Sequence, residues 1–364
     1  MASNAPILTV DLSLKQDGFS LEADFEVDPG ITVITGPSGA GKSTLVGTIA
    51  GAAKPDQGRI ALGDNVFFDS AKGAFMRPAD RRIGYVLQDS LLFPHMTVRR
   101  NMLYGHRAGA AWPLEDVATI LEITHLLDRS PHQLSGGERR RVAIGRALLS
   151  NPDILLLDEP LANLDNARRS AILPLIERLR DEFALPIIYV THAWPEIIRL
   201  ADTLMVMREG RIQAMGPLAE VLAANNDLAH MGLDGSVIDA TIVGHDDDKG
   251  ITALTTPAGP LYIATVDERP GQTVRLFIGA GDVALSLERP EHVSVQNILS
   301  ATIANLSPQD PPSVDALLTL DGGQSLRARI TSRAVESLNL VEGQKLFAMI
   351  KSVALDKELL HHPF

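Results

Sequence analysis

The run Gly36-Pro37-Ser38-Gly39-Ala40-Gly41-Lys42-Ser43-Thr44 follows the apolar stretch Ile31-Thr32-Val33-Ile34 and precedes a segment of helical composition. Glycines at both ends of such a loop let backbone N–H groups turn inward on an anion, where side chains would block its approach. The start of the following helix adds the positive end of its dipole. A loop of this kind needs a strand before it and a helix after it. It therefore commits this part of the chain to an α/β sheet with a phosphate site at a strand's carboxyl end. In this reading Lys42 bridges β- and γ-phosphate oxygens, and the Ser43 hydroxyl ligates Mg2+.

A second element completes that chemistry. Ile154-Leu155-Leu156-Leu157 is an apolar strand that runs straight into Asp158-Glu159-Pro160. Acids at the tip of a buried strand are costly unless they meet a cation or a proton. Asp158 is expected to hold Mg2+ through water, and Glu159 to orient or deprotonate an attacking water.

A chain of 364 residues exceeds the usual single-core size, so two domains are expected. We place the first at residues 1–230, with a helical subdomain inserted at about 88–150, and a β-rich second domain at 231–364. A helix is expected from Lys42 to Ala53, and alternating strand segments dominate after Met231. Cysteine is absent, which excludes disulfides and thiolate chemistry. The 33 basic and 45 acidic residues give a net charge of −12, which disfavours nucleic acid as a partner. No stretch approaches the roughly 18 apolar residues that cross a bilayer. Met1–Pro6 lacks the basic and apolar halves of a secretion signal, so a soluble protein is expected, reaching membranes only through a partner.

Leu134-Ser135-Gly136-Gly137-Glu138 resembles the signature motif of the ATP-binding cassette ATPases. The resemblance extends from about residue 31 to residue 216. It implies a P-loop NTPase fold with an inserted helical subdomain, binding ATP with Mg2+. It also implies a homodimer, in which Ser135, Gly136 and Gly137 reach the γ-phosphate held by the opposite subunit's phosphate loop. By the same resemblance Gln88 senses Mg2+ and the attacking water, and His192 contacts the γ-phosphate. Asp165, in Ala162-Asn163-Leu164-Asp165, belongs to the loop that crosses the dimer interface, although Asn163 stands where the family more often has alanine. The family stacks adenine on an upstream aromatic residue; Phe19 and Phe25 both fit, with Phe19, beside Gly18, preferred.

The segment from Gln88 to Val98 is similar to the importer branch, where this surface receives a helix of an integral membrane permease. Its Leu91, Leu92, Phe93 and Met96 read as a docking groove. Residues 294–356 resemble a molybdate-binding-type, OB-like β-barrel domain, through Ser294-Val295-Gln296-Asn297, Leu326–Thr331 and Phe347–Ser352. Arg77–Tyr85, Leu92–His95 and Tyr189–His192 resemble the molybdate importers. An ATPase peripheral to the cytoplasmic face of the inner membrane is implied, served indirectly by an extracytoplasmic substrate-binding protein. Lys351, Ser352, Thr331 and Ser294 are the candidate donors to molybdate or tungstate. Gln296 stands where the family often has arginine. Sulfate, iron or polyamine import, and a cytosolic oxyanion store, remain the alternatives.

Overall fold

The computed structural model describes residues 8–16, 18–106, 112–162, 164, 166–183, 185–224, 234–266, 268–309 and 312–351. Its contacts divide into two units, Met1–Met215 and Gly216–Phe364.

The first unit is built on one sheet. Its strands are β1 (Leu8–Gln16), β2 (Phe19–Val27), β3 (Ile31–Thr35), β4 (Gln57–Leu62), β5 (Asn65–Asp69), β6 (Ala74–Phe75), β7 (Ile83–Val86), β8 (Ile154–Asp158), β9 (Ile187–Val190), β10 (Thr203–Arg208) and β11 (Arg211–Pro217). They lie in the order β6-β5-β4-β1-β2-β11-β10-β3-β9-β8-β7. The half containing β10, β3, β9, β8 and β7 is parallel. Every residue of β3, β8 and β9 is buried, which explains why their sequences are mostly apolar and do not alternate. β1 and β2 pair antiparallel and alternate buried with exposed residues, as a half-solvated sheet requires.

Helices α1 (Lys42–Ala50), α2 (Val98–Met102), α3 (Leu114–Ile120), α4 (Gly136–Leu149), α5 (Asn166–Phe183) and α6 (Trp194–Leu200) complete the unit. α1 stops before the expected Ala53 because Gly51 takes a left-handed conformation at its C-cap. No described helix is long and apolar enough to cross a membrane.

The far end of α1 is anchored by Arg81, which is 1% exposed. Its guanidinium donates to the carbonyls of Thr48 (3.1 Å), Ile49 (2.6 Å) and Met76 (3.0 Å). The rings of Phe67 and Phe75 lie 5.4 and 5.0 Å from it. Burial lowers its pKa to about 10, which still leaves it charged at neutral pH. Arg81→Met takes this donor from the Ile49 carbonyl, while that of Thr48 keeps the N–H of Gly51, and should cost about 1–3 kcal/mol. A lowered denaturation midpoint checks this; an unchanged midpoint rules the anchor out.

The second unit begins with α7 (Leu218–Ala224), earlier than residue 231. The reason is a long-range contact: the buried Arg327 donates to the carbonyls of Leu222 (2.9 Å) and Ala223 (2.8 Å), fastening α7 to the strands that follow. Strands β12 (Gly235–Asp246), β13 (Ile251–Thr256), β14 (Gly259–Ala264) and β15 (Thr273–Gly279) form a sheet in the order β14-β13-β12-β15. A second sheet, ordered β16-β20-β17-β18-β19, comprises β16 (Val283–Ser286), β17 (Asn297–Pro308), β18 (Ser313–Leu320), β19 (Ser325–Thr331) and β20 (Lys345–Ile350). One apolar core, including Ile238, Leu254, Leu299 and Leu318, joins the two. The β-rich unit also carries a short helix that the strand pattern does not announce, α8 (Ser332–Leu338), which Thr331 caps by accepting from the N–H of Ala334 (3.2 Å).

Candidate functional site

Strands β3, β9, β8 and β7 are parallel neighbours, so the segments after their carboxyl ends meet at one rim. Those segments are the phosphate loop, the loop with His192, the pair Asp158-Glu159, and Gln88. In the loop Gly36 has φ 151°, and a Cβ there would sit 2.1 Å from the carbonyl oxygen of Met207. Gly41 has φ 97°, and its Cβ would fall 2.6 Å from the ring of Phe19. Both positions exclude any side chain. Pro37, Ser38 and Gly39 form the exposed crest, Ala40 is buried beneath it, and Thr44 lies in the first turn of α1. Lys42 is buried, and its Nζ donates to the carbonyls of Gly36 (2.8 Å) and Pro37 (3.0 Å). Burial lowers its pKa, against the opposing pull of Glu159 and Asp158.

Ser43 donates its hydroxyl to Asp158 Oδ1 at 3.1 Å, joining residues 115 positions apart. The Tyr85 hydroxyl reaches Oδ2 at 3.4 Å. Burial raises the Asp158 pKa, Glu159 adds to this, and the bonds from Ser43 and Tyr85 with the charge of Lys42 oppose it. A desolvated carboxylate beside a hydroxyl oxygen is a donor set suited to Mg2+, which takes few protein ligands and shares its shell with water and phosphate. Among the described residues there is no cage of three or more His, Cys, Asp or Glu side chains. The site thus fits a magnesium–nucleotide better than a resident metal.

Glu159 has φ 45° and precedes Pro160, a combination that strains a non-glycine backbone by about 1–3 kcal/mol. Its N–H donates to Val190 (3.0 Å), which pins it to the end of β9. Its Oε1 lies 3.2 Å from His192 Nδ1. A cavity of about 270 Å³ opens here, with Gln88, Glu159, Ala162, Arg169, His192 and Glu196 in its walls.

The signature turn is a helix N-terminus. Ser135 caps α4 by accepting from the N–H of Glu138 (3.3 Å), and the Glu138 carboxylate accepts from the N–H of Ser135 (2.6 Å). That backbone bond lowers the Glu138 pKa. The Ser135 hydroxyl accepts through a lone pair, so its proton stays available to an outside anion. Among the described residues, a Cβ at Gly136 or Gly137 would meet nothing nearer than 3.6 or 3.7 Å, ordinary contact. None of the described neighbours requires glycine at either place. One turn further on, the buried Arg140 donates to the carbonyl of Gln88, and more weakly to those of Leu87 (3.5 Å) and Ala162 (3.4 Å). Sequence reading missed Arg140, Tyr85 and Glu196, whose parts depend on burial and not on spacing. Asp165 and Asn163 lie outside the described residues.

The two aromatic candidates separate. Phe25 is 7% exposed and belongs to the core, whereas Phe19 is half-buried against Gly41 of the phosphate loop. In the segment after Gln88, the buried Asn101 accepts from the N–H of Phe93 (2.8 Å) and donates to the carbonyls of Phe93 and Met96 (both 3.1 Å). Phe93 packs on Tyr104, their rings 4.3 Å apart, while Leu91, whose carbonyl accepts from Arg146 (2.9 Å), stands 60% exposed. Leu92 and Met96 are half-buried. In the second unit Asn297 pairs with Ile350, so Ser294 and Lys351 flank one end of β17. Thr331 pairs with Ser313, beside the other end, where Pro308 pairs with Val314. Register keeps Thr331 apart from the others, and its oxygen already caps α8. Ser352 lies outside the described residues.

Residues 22–162 match the ABC transporter family and residues 293–356 match the TOBE domain. The chain is 47% identical to the molybdenum import ATP-binding protein ModC of Rhodospirillum rubrum, over 98% of this chain and 99% of that protein. It is 41% identical to the protein of the same name from Brucella abortus, over 96% and 98%. Among solved structures it is similar to cbiO1 of Clostridium perfringens, part of an ABC transporter complex, at 31% identity and a TM-score of 0.53, covering 63% of this chain and 95% of that one. The ATP-binding cassette MJ1267 in its ADP conformation is similar at 26% identity and a TM-score of 0.54, over 63% and 99%. The chain belongs to the molybdenum import ATP-binding proteins, ABC transporter ATPases with a TOBE domain towards the C-terminus.

Proposed function

We propose that two copies of this chain enclose Mg2+–ATP and couple its hydrolysis to molybdate import through a membrane permease. The observation that carries this reading is the convergence of Ser43 with Asp158, and of Glu159 with His192, at one sheet rim. Ser43 and Asp158, with Gln88, would hold Mg2+, which would supply charge neutralisation at the phosphate oxygens when bound. Lys42 exchanges the carbonyls of Gly36 and Pro37 for β- and γ-phosphate oxygens. Glu159 accepts the proton of the attacking water, and His192 steadies the γ-phosphate. The Ser135 hydroxyl and the N–H groups at Gly136 and Gly137 of the second copy close over it. Phe19, beside Gly41, stacks the adenine.

The exposed Leu91 receives a permease helix, which puts the dimer on the cytoplasmic face of the inner membrane. An extracytoplasmic binding protein delivers the cargo on the other side. The second unit is regulatory, and its end bearing Ser294 and Lys351 is where molybdate or tungstate binds. Vesicles carrying the chain with its permease should accumulate molybdate only with ATP inside and the loaded binding protein outside. Tungstate should compete. Equal uptake of sulfate overturns the assigned cargo, and uptake without ATP overturns the coupling.

A further inference from the structure

Glu196 has no part in the reaction just described, yet it is 2% exposed in the first turn of α6, against the active rim. Its Oε2 accepts from the Thr191 hydroxyl at 2.7 Å and from the Tyr189 hydroxyl at 2.9 Å. Its Oε1 lies 3.0 Å from Nε of Arg169. Two of these partners lead into catalytic loops. The Thr191 oxygen also accepts from the N–H of Ala193 (3.1 Å), so one hydroxyl ties the backbone on both sides of His192. The Arg169 guanidinium donates to the carbonyl of Leu164 (3.4 Å), in the loop that leads to Asp165.

Two physical points give this node weight. A carboxylate this deep is costly, and a buried ion pair adds little net stability over apolar packing of the same volume. Burial raises the Glu196 pKa even with four groups opposing it. Meanwhile the His192 side chain is 68% exposed. Packing does not fix an exposed imidazole, so its backbone has to be held.

We propose that Glu196 is a positioning residue. Through Thr191 it sets the loop that carries His192, and through Arg169 it ties that loop to the one ending at Leu164. The inference rests on the role given to His192 above. It predicts that the carboxylate matters for turnover and not for nucleotide affinity, because it touches no part of the phosphate loop.

The test is a double-mutant cycle on the full chain, reading kcat and KM for ATP together with the melting temperature. Glu196→Gln should lower kcat on the order of 10–100-fold while KM stays within about twofold, a small displacement at a reacting centre being enough for such a loss. In a His192→Ala background the same substitution should change kcat less than about twofold. Thr191→Val removes one donor without disturbing a charge, and so carries the test if Glu196→Gln fails to fold. It should lower kcat with the same non-additivity, and Thr191→Ser should restore it. A fall in kcat of equal size in both backgrounds, or a change confined to melting temperature, overturns the proposal. Full activity of His192→Ala alone would instead remove the histidine's role, a separate failure.

Discussion

Glu159→Gln should leave ATP binding intact and lower turnover on the order of 10²–10⁴-fold, the usual contribution of a positioned general base. Three observations single out this carboxylate over its neighbour. Asp158 is already engaged by Ser43 and Tyr85, whereas Glu159 contacts the imidazole of His192 from the cavity wall. Its backbone is held left-handed ahead of a proline, and such strain persists where the surroundings impose it. The amide keeps the shape and the hydrogen-bond acceptor but cannot take a proton. Phosphate release and nucleotide-dependent association, measured on the same variant, should therefore part company. Unimpaired phosphate release would remove Glu159 as the base.

Gly137→Ala should produce opposite signs in stability and activity. Gly137 lies in the first turn of α4, where alanine favours the helix by about 0.5–1 kcal/mol. Among the described residues a Cβ there meets Ile172 alone, at 3.7 Å. On the folded chain alone this substitution is harmless or stabilising. If a second copy's triphosphate approaches these N–H groups, the methyl occupies its path, and losing such donors costs on the order of 10²-fold in turnover. A melting temperature held or raised, with ATPase activity collapsed, is the expected pair of results. Activity equal to the parent's would mean that nothing approaches this turn.

Much of this site was legible because its chemistry is written in contiguous residues. The phosphate loop demands glycine where φ is positive, and the apolar run before Asp158 marks a buried parallel strand with acids at its tip. What was not legible depends on residues meeting from afar. Tyr85 reaches Asp158 across 73 positions and Arg140 reaches Gln88 across 52, and no spacing announces either. Arg327 fastens α7 across 105 positions, which is why the unit begins earlier than composition suggests. The helix Ser332–Leu338 was hidden among strand-like neighbours, though Thr331 as its cap and Asn339, left-handed beyond its end, are readable signals in hindsight. Thr331 reads as an anion donor in one dimension; strand register sends it to the other end of β17 from Lys351.

In the proposed function each nucleotide is held by two chains at once, and one mixing experiment tests this directly. Lys42→Ala lacks a phosphate grip but keeps its signature turn, while Gly137→Asp keeps the grip and loses the turn. With Glu159→Gln added to both to stop turnover, neither should associate alone in Mg2+–ATP. Sedimentation of the mixture should show an ATP-dependent dimer of one chain of each kind. No association in the mixture, with the dilute parent chain fully active as a monomer, would contradict the account.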